Sequence, residues 1–162
     1  MKSEKALKID LALPQLIVPE GFGINIHFTG NPRFEELRLS LDGTSFFESG
    51  SYETDYNVDL DLIAKAGFRF VRMDMCWGAV EMQKGVYDFV KCGYDALTEG
   101  CLKRGIRIIY IFDYSNKLYE SDTSVRTEQG RKAFAAFAKT AAERYKGQGI
   151  IWEVWNEPNV HF

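Results

Sequence analysis

From Gly67 onward the chain alternates regularly between two kinds of segment. Short runs rich in β-branched and aromatic residues are followed by longer stretches whose apolar residues recur at helical spacing. This alternation is typical of parallel βαβ units, in which each connection crosses one face of the sheet. The sequence therefore predicts an α/β fold with four strands, at Phe22 to Phe28, Phe68 to Asp74, Ile106 to Asp113 and Ile150 to Asn156.

Three helices are predicted around these strands. They run from Tyr56 to Ala66, from Phe89 to Arg104 and from Thr127 to Tyr145, each with apolar residues on one side. Gly67 and Gly105 follow the first two helices and precede strands, as expected of helix terminators. The phenylalanines of the third helix are expected in the core.

Composition narrows the class of partner. The chain is 46% hydrophobic and 14% aromatic, which is typical of a globular protein, and its net charge of -3 provides no broad basic surface for nucleic acid. Cys76, Cys92 and Cys101 are odd in number and lack metal-ligand spacing, so we expect reduced thiols and no metal site.

The chain reads as soluble. Nowhere do about 18 apolar residues run together, so no membrane span is expected. Lys8, Asp10 and Pro14 interrupt the apolar stretch near the N-terminus, so no secretory signal is visible. Its location stays open, since a secreted or periplasmic protein whose signal has been removed would look the same.

Glu157 directly follows the last predicted strand, in the run WEVWNEPN. Parallel β/α proteins expose their catalytic groups just beyond the carboxyl ends of their strands. A glutamate held among Trp155, Asn156 and Pro158 can be partly desolvated, which favours its protonated form. We therefore predict Glu157 as the general acid, and afterwards the base, in the cleavage of a glycosidic bond.

Polar and aromatic residues also follow the other strands. Asp74 and Trp77 come after the second strand, whereas Asp113, Tyr114 and Asn116 come after the third. The carboxyl ends of parallel strands meet at one edge, so these side chains are expected at one mouth. Sugars present apolar ring faces and hydroxyl edges together, which suits such a mixture.

Two further residues are candidate site residues, and the sequence leaves more than one role open for each. His27 ends the first strand, where it either binds a sugar hydroxyl, orients a carboxylate or is a satisfied core histidine. Arg72 lies inside an apolar strand and needs acidic partners. It either supports the site or forms an internal ion pair with Glu153.

Five segments carry a resemblance to a known family: GINIHFT, VRMDMCW, KGVYDF, IFDYSNKLYE and WEVWNEPN, in this order. Over residues 21–162 the chain resembles the clan A glycoside hydrolases, and most of all a family 39-like branch. The Trp-Asn-Glu-Pro-Asn run at residues 155–159 is similar to the strand-four signature of that clan.

The resemblance implies strands one to four of a TIM-barrel-like fold, that is, a parallel (β/α) half-barrel. It also implies that Glu157 is the acid/base of a retaining hydrolase and that Asn156 hydrogen-bonds the sugar near its 2-hydroxyl and the nucleophile. Trp155 is expected to contact the substrate, a β-linked polysaccharide or oligosaccharide. No cofactor and no metal are implied.

We expect residues 1–162 to form one partial barrel domain, with an N-terminal extension at residues 1–20 and an insertion after the first strand at residues 29–54. The extension either covers the bottom of the barrel or adds a strand. Within the insertion, Asp42 and Gly43 lie between alternating apolar residues, which predicts a hairpin.

A retaining mechanism needs a second carboxylate about 5 to 5.5 Å from the first, which the clan supplies from strand seven. Glu81, Glu120 and Glu153 do not occupy an equivalent strand end. We therefore expect the nucleophile from a missing C-terminal half-barrel, and we expect the isolated chain to be inactive.

The predicted half-barrel leaves two strand edges and an apolar interior face open, and both invite association. We expect them to be covered by the missing C-terminal half or by a second copy in a homodimer. The alternative function is a catalytically incomplete half-barrel that self-associates or binds carbohydrate without turnover.

Overall fold

The computed structural model describes residues 21–27 and 56–159, so the predicted N-terminal extension and the insertion with its hairpin lie outside the described residues. The described part contains one sheet with the strand order β1-β2-β3-β4, and every neighbouring pair is parallel. The strands are β1 (Gly23–Asn25), β2 (Phe70–Cys76), β3 (Arg107–Asp113) and β4 (Ile151–Val154). This confirms the predicted parallel α/β fold.

Four helices accompany the described strands: α1 (Tyr56–Lys65), α2 (Trp77–Val80), α3 (Tyr94–Lys103) and α4 (Glu128–Arg144). The short helix α2 was not predicted. Helix α3 begins at Tyr94 rather than Phe89, because Gly93 before it adopts a left-handed conformation with φ 79°. None of the described helices is long and apolar enough to cross a membrane.

Strand β2 separates the two faces of the sheet by simple alternation. Val71, Met73 and Met75 are buried against the helices, whereas Arg72 and Asp74 are half-buried on the opposite face. Successive side chains of a strand point to opposite faces, so the odd-numbered residues of β2 belong to the core. We call the face that carries Arg72 the inner face.

The helix-covered face of the sheet is rich in aromatic rings. Trp152 on β4 stacks on Phe112 of β3 with ring centroids 4.7 Å apart and an angle of 5° between the rings. Phe137 of α4 is fully buried and meets Phe112 edge-on at 5.5 Å. These contacts place Trp152 on the helix-covered face and confirm that the phenylalanines of α4 contribute to the core.

The register of the strands determines which inner-face residues are neighbours. Asp74 pairs with Ile111, and two residues further along Cys76 pairs with Asp113. On the other side of β3, Ile111 pairs with Glu153 of β4. The polar residues of three strands therefore converge towards one end of the inner face.

Hydrogen bonds to Glu81 connect the segment after β2 to the segment after β3. Its fully buried carboxylate accepts hydrogen bonds from Trp77 Nε1 at 2.5 Å, from the Gly85 backbone N–H at 2.7 Å and from the Tyr119 hydroxyl at 2.6 Å. Its backbone carbonyl accepts a bond from Asn116 Nδ2 at 2.8 Å. A buried carboxylate with three donors is satisfied, so Glu81 fixes both segments.

We expect Glu81→Ala to lower the free energy of unfolding by about 3 to 5 kcal/mol, because it leaves three donors without their acceptor. Urea denaturation of the native chain and the variant measures the loss. Glu99→Ala is the matched control, since Glu99 forms an exposed ion pair with Lys103, and its loss should stay within about 0.5 kcal/mol. Equal losses in the two variants would contradict this account of Glu81.

Candidate active site

A forked ion pair crosses the inner face from β2 to β4. Arg72 Nε donates to Glu153 Oε2 at 2.7 Å, and Arg72 Nη2 donates to Glu153 Oε1 at 2.7 Å. This hydrogen bonding raises the pKa of Arg72 and holds the pKa of Glu153 below its ordinary value, so the pair is ionised at neutral pH. The internal ion pair, one of the two alternatives for Arg72, is therefore present.

Arg72 also contacts the residue that precedes Glu157. Its Nη2 donates to Asn156 Oδ1 at 3.0 Å, while Asn156 Nδ2 donates to the Tyr114 hydroxyl at 3.2 Å. The Asn156 amide has one partner on its oxygen and another on its nitrogen, so its orientation is fixed. Arg72 therefore forms the internal ion pair with Glu153 and also holds the Asn156 side chain of the Trp-Asn-Glu-Pro-Asn run.

Glu157 lies just beyond the carboxyl end of β4. It is exposed, and both it and Trp155 adopt left-handed backbone conformations, with φ values of 46° and 68°. Left-handed residues other than glycine are uncommon and cluster at functional sites. The partial desolvation expected from its sequence neighbours is not provided by the described residues.

Trp155 extends the sheet by one bond, since its N–H donates to the Phe112 carbonyl at 3.0 Å. Its half-buried ring meets Tyr114 edge-on at 5.7 Å and 90°, and Phe134 of α4 at 5.9 Å and 61°. The ring is therefore anchored between the end of β3 and helix α4. Trp155, Asn156 and Tyr114 form one contiguous group beside Glu157.

His27 and Asp74 lie at the open side of the same end. His27 Nδ1 is 3.9 Å from Asp74 Oδ2, with 62% of the His27 side chain and 26% of the Asp74 side chain exposed. Asp74 points from the inner face like Arg72, two residues earlier in β2. The structure therefore brings together seven predicted site residues at the carboxyl ends of the strands: His27, Arg72, Asp74, Tyr114, Trp155, Asn156 and Glu157.

Asp113 lies at the carboxyl end of β3, but its side chain is buried below the surface of the sheet's inner face. It is fully buried, and neither of its carboxylate oxygens receives a hydrogen bond from the described residues. Burial, together with the negative charge of Asp74, raises the pKa of Asp113 well above its ordinary range. The expectation that Asp113 contacts a substrate directly is wrong for this arrangement, because the group is enclosed.

Trp77 and Asn116 do not lie at the mouth, and this prediction is wrong. Trp77 is fully buried and stacks on Tyr119 at 5.2 Å, because it continues the odd-numbered series of β2 that faces the helices. Asn116 is 3% exposed, and its Oδ1 accepts the Leu118 N–H at 2.9 Å in a local turn. The alternation of β2 was the signal that could have assigned Trp77 to the core.

The three carboxylates weighed as substitute nucleophiles all have partners within the fold. Glu81 holds the network described above, and Glu153 is paired with Arg72. Glu120 accepts bonds from the Arg126 and Thr127 backbone N–H groups and from the Thr127 hydroxyl. It thereby supports the start of α4, where Thr127 is the N-cap.

Comparison with known proteins decides the family. The sequence model of the cellulases, glycosyl hydrolase family 5, matches residues 30–161. The chain belongs to glycosyl hydrolase family 5. The resemblance to clan A glycoside hydrolases is confirmed, and the match covers the Asn156-Glu157 motif.

Solved structures of glycoside hydrolases share the fold of this chain over part of their own length. A family 39 glycoside hydrolase from the gut symbiont Bacteroides cellulosilyticus WH2 has a TM-score of 0.64 and 26% identity over 85% of this chain and 24% of its own. Cel5A of Thermotoga maritima, in complex with cellobiose, has a TM-score of 0.59 and 24% identity over 86% of this chain and 41% of its own. No curated protein matches the chain.

A third structure with the same fold is named as a mannosidase. The exo-β-1,4-mannosidase Op5Man5 from an Opitutaceae bacterium, strain TAV5, has a TM-score of 0.63 and 21% identity over 85% of this chain. The family 5 chain described here spans 24% of that protein. It therefore corresponds to a part of these barrels.

The forked ion pair should contribute to stability in a pH-dependent way. A double-mutant cycle with Arg72→Met and Glu153→Gln is expected to give a coupling of about 1 to 2 kcal/mol at neutral pH, since the pair is bidentate but partly exposed. The depressed pKa of Glu153 makes this contribution present above about pH 4.3. It is lost as the pH falls through the folded-state value.

Urea denaturation at neutral pH and at about pH 2 measures the coupling. The exposed pair Glu99 and Lys103 is the control, with an expected coupling of about 0.5 kcal/mol or less. A coupling for Arg72 and Glu153 that does not shrink in acid would contradict the assignment of these charges.

Proposed function

We propose that the complete family 5 protein is a retaining glycosidase that acts on a β-linked polysaccharide or oligosaccharide, with Glu157 as general acid/base. The single observation that carries this proposal is the placement of an exposed carboxyl group on a left-handed turn at the end of β4. It directly follows Asn156, whose amide is held by Arg72 and Tyr114.

The chemistry assigned to Glu157 has two steps. It first gives a proton to the glycosidic oxygen as the bond to the leaving group breaks, while a second carboxylate attacks the anomeric carbon. It then removes a proton from the water that hydrolyses the glycosyl-enzyme intermediate. In this proposal, a part of the protein outside this chain supplies the second carboxylate.

The neighbouring residues would bind the sugar. Asn156 has a fixed amide beside the reacting group, where it would hydrogen-bond the sugar near its 2-hydroxyl. His27 and Asp74 offer exposed polar groups for other hydroxyls, and Trp155 with Tyr114 offers ring surface. Family membership and the glycosidase names of the similar structures support this substrate class.

Glu157→Gln in the complete protein should lower kcat for an unactivated β-glycoside by about 10²- to 10⁴-fold, because the leaving oxygen loses its proton donor. An aryl glycoside with a very acidic leaving group needs no protonation, so its bond cleavage should survive. Added azide should then restore turnover and give a glycosyl azide of retained configuration, because azide needs no general base. Product analysis by NMR and initial rates measure both effects.

Glu99→Gln serves as the charge-matched control, since it removes one exposed carboxylate from α3 and should leave the rates unchanged. Native-like rates for Glu157→Gln with an unactivated substrate would exclude Glu157 as the acid. An azide product of inverted configuration would exclude the retaining mechanism.

The alternative function is favoured by the apolar residues on the two outer strands. On β4, Val154 is 71% exposed and Ile151 is 38% exposed, while Ile24 on β1 is 39% exposed. Apolar residues on open edge strands promote association. A half-barrel that self-associates, or that binds sugar without turnover, is therefore the second candidate for the chain by itself.

We expect the 162-residue chain alone to show no turnover of aryl β-glycosides and to sediment as a dimer. Val154→Lys should weaken the dimer by at least tenfold, because it places a charge on the open strand. Met82→Lys is the control, since Met82 is 56% exposed outside the described strands. A monomer that turns over substrate would contradict both expectations.

A further inference from the structure

The inner face carries more carboxyl groups than cations. Among the described residues of β2, β3 and β4 at this end, Arg72 is one cation, and Asp74, Asp113 and Glu153 are three carboxyl groups. Glu153 takes both arms of the Arg72 fork. Two carboxyl groups therefore remain without a guanidinium of their own.

Asp113 is the group that cannot bear a charge in its position. It is fully buried, and neither oxygen has a donor among the described residues. A buried carboxylate without a hydrogen bond is too costly to persist, and it is relieved by taking up a proton. A protonated carboxyl group becomes a donor, so it then needs an acceptor nearby.

Asp74 is that acceptor. The pairing of Cys76 with Asp113 places Asp74 on the same face of the sheet, one diagonal step away. Burial and the negative charge of Asp74 both raise the pKa of Asp113, as expected of neighbouring carboxyl groups. Two ionised carboxylates at this separation would repel each other, whereas an acid and a carboxylate attract.

We propose that Asp113 is protonated in the folded protein at neutral pH and donates its proton to Asp74. Asp113 is then a positioning residue that holds the Asp74 carboxylate where it faces His27 and the mouth. This goes beyond the proposed function, since it requires no assumption about the sugar or the reaction.

Of the other charged groups around Asp113, Arg72 favours its ionised form, whereas Glu153 favours its protonated form. Arg72 of β2 attracts negative charge but is committed to Glu153 of β4, whose own charge disfavours ionisation of Asp113. Cys76 and Tyr114 are uncharged at neutral pH, because burial raises the pKa of each. His27 of the β1 side faces Asp74 at 3.9 Å.

Infrared spectroscopy of the full chain tests the protonation directly. The carbonyl band of a carboxylic acid is resolved from that of a carboxylate, so the spectrum of the native protein minus that of Asp113→Asn at pH 7 should contain a carboxylic acid band. Asp74→Asn should move the loss of this band to lower pH, because it removes the neighbouring negative charge. Absence of the band in the native protein at pH 7 would overturn the proposal.

Stability provides a second readout. The raised folded-state pKa of Asp113 means that the folded protein holds one proton more than the unfolded chain from about pH 5 to 8, so stability falls as the pH rises. The unfolding constant of the native protein relative to Asp113→Asn should increase by up to about tenfold per pH unit. Asparagine keeps a neutral donor to Asp74, so the variant is expected to fold.

Glu99→Gln is the control, because it removes an exposed carboxylate and should leave the pH dependence of the native protein unchanged. A ratio between native protein and Asp113→Asn that is constant from about pH 5 to 8 would show that Asp113 does not hold the proton. A ratio that falls with rising pH would show that its charged form is the favoured one. Either result overturns the proposal.

Discussion

The fork between Arg72 and Glu153 is the interaction on which the rest of this end of the sheet depends. It joins β2 to β4 across β3, with two donor-acceptor distances of 2.7 Å. A third bond from the same guanidinium holds the Asn156 amide, which directly precedes Glu157. Without the fork, Glu153 would be an unpaired carboxylate on the inner face and Asn156 would lose one of its two fixed partners.

The fold was predictable because its signals are local and repeated. The alternation of residues 70–76 encodes a strand with one core face, and left-handed glycines at Gly67 and Gly105 end two helices at the expected places. The late start of α3 was not predictable from apolar spacing. The left-handed Gly93 breaks the helical path there, although the apolar residues before it continue the helical pattern.

The sequence predicted which residues lie near the carboxyl ends of the strands. It did not predict which of them are buried. Asp113 ends β3, and Tyr114 and Asn116 follow it, yet Asp113 and Asn116 are enclosed while Tyr114 is half-buried. Trp77 was assigned to the mouth because it follows the second predicted strand, although it continues the series of Met73 and Met75, which face the core. Long-range partners, such as Glu81 for Asn116, leave no mark in the local sequence.

The carboxyl groups at this end of the sheet are stabilised in three different ways, and the difference bears on Glu157. Glu153 is neutralised by a cation, Asp113 is relieved by a proton, and Asp74 and Glu157 remain in contact with solvent. A proton donor for a glycosidic oxygen works best when burial or a nearby carboxylate favours its protonated form. The described residues leave Glu157 exposed, and the proposed function therefore assigns the surfaces that favour its protonated form, like the second carboxylate, to residues outside the described part.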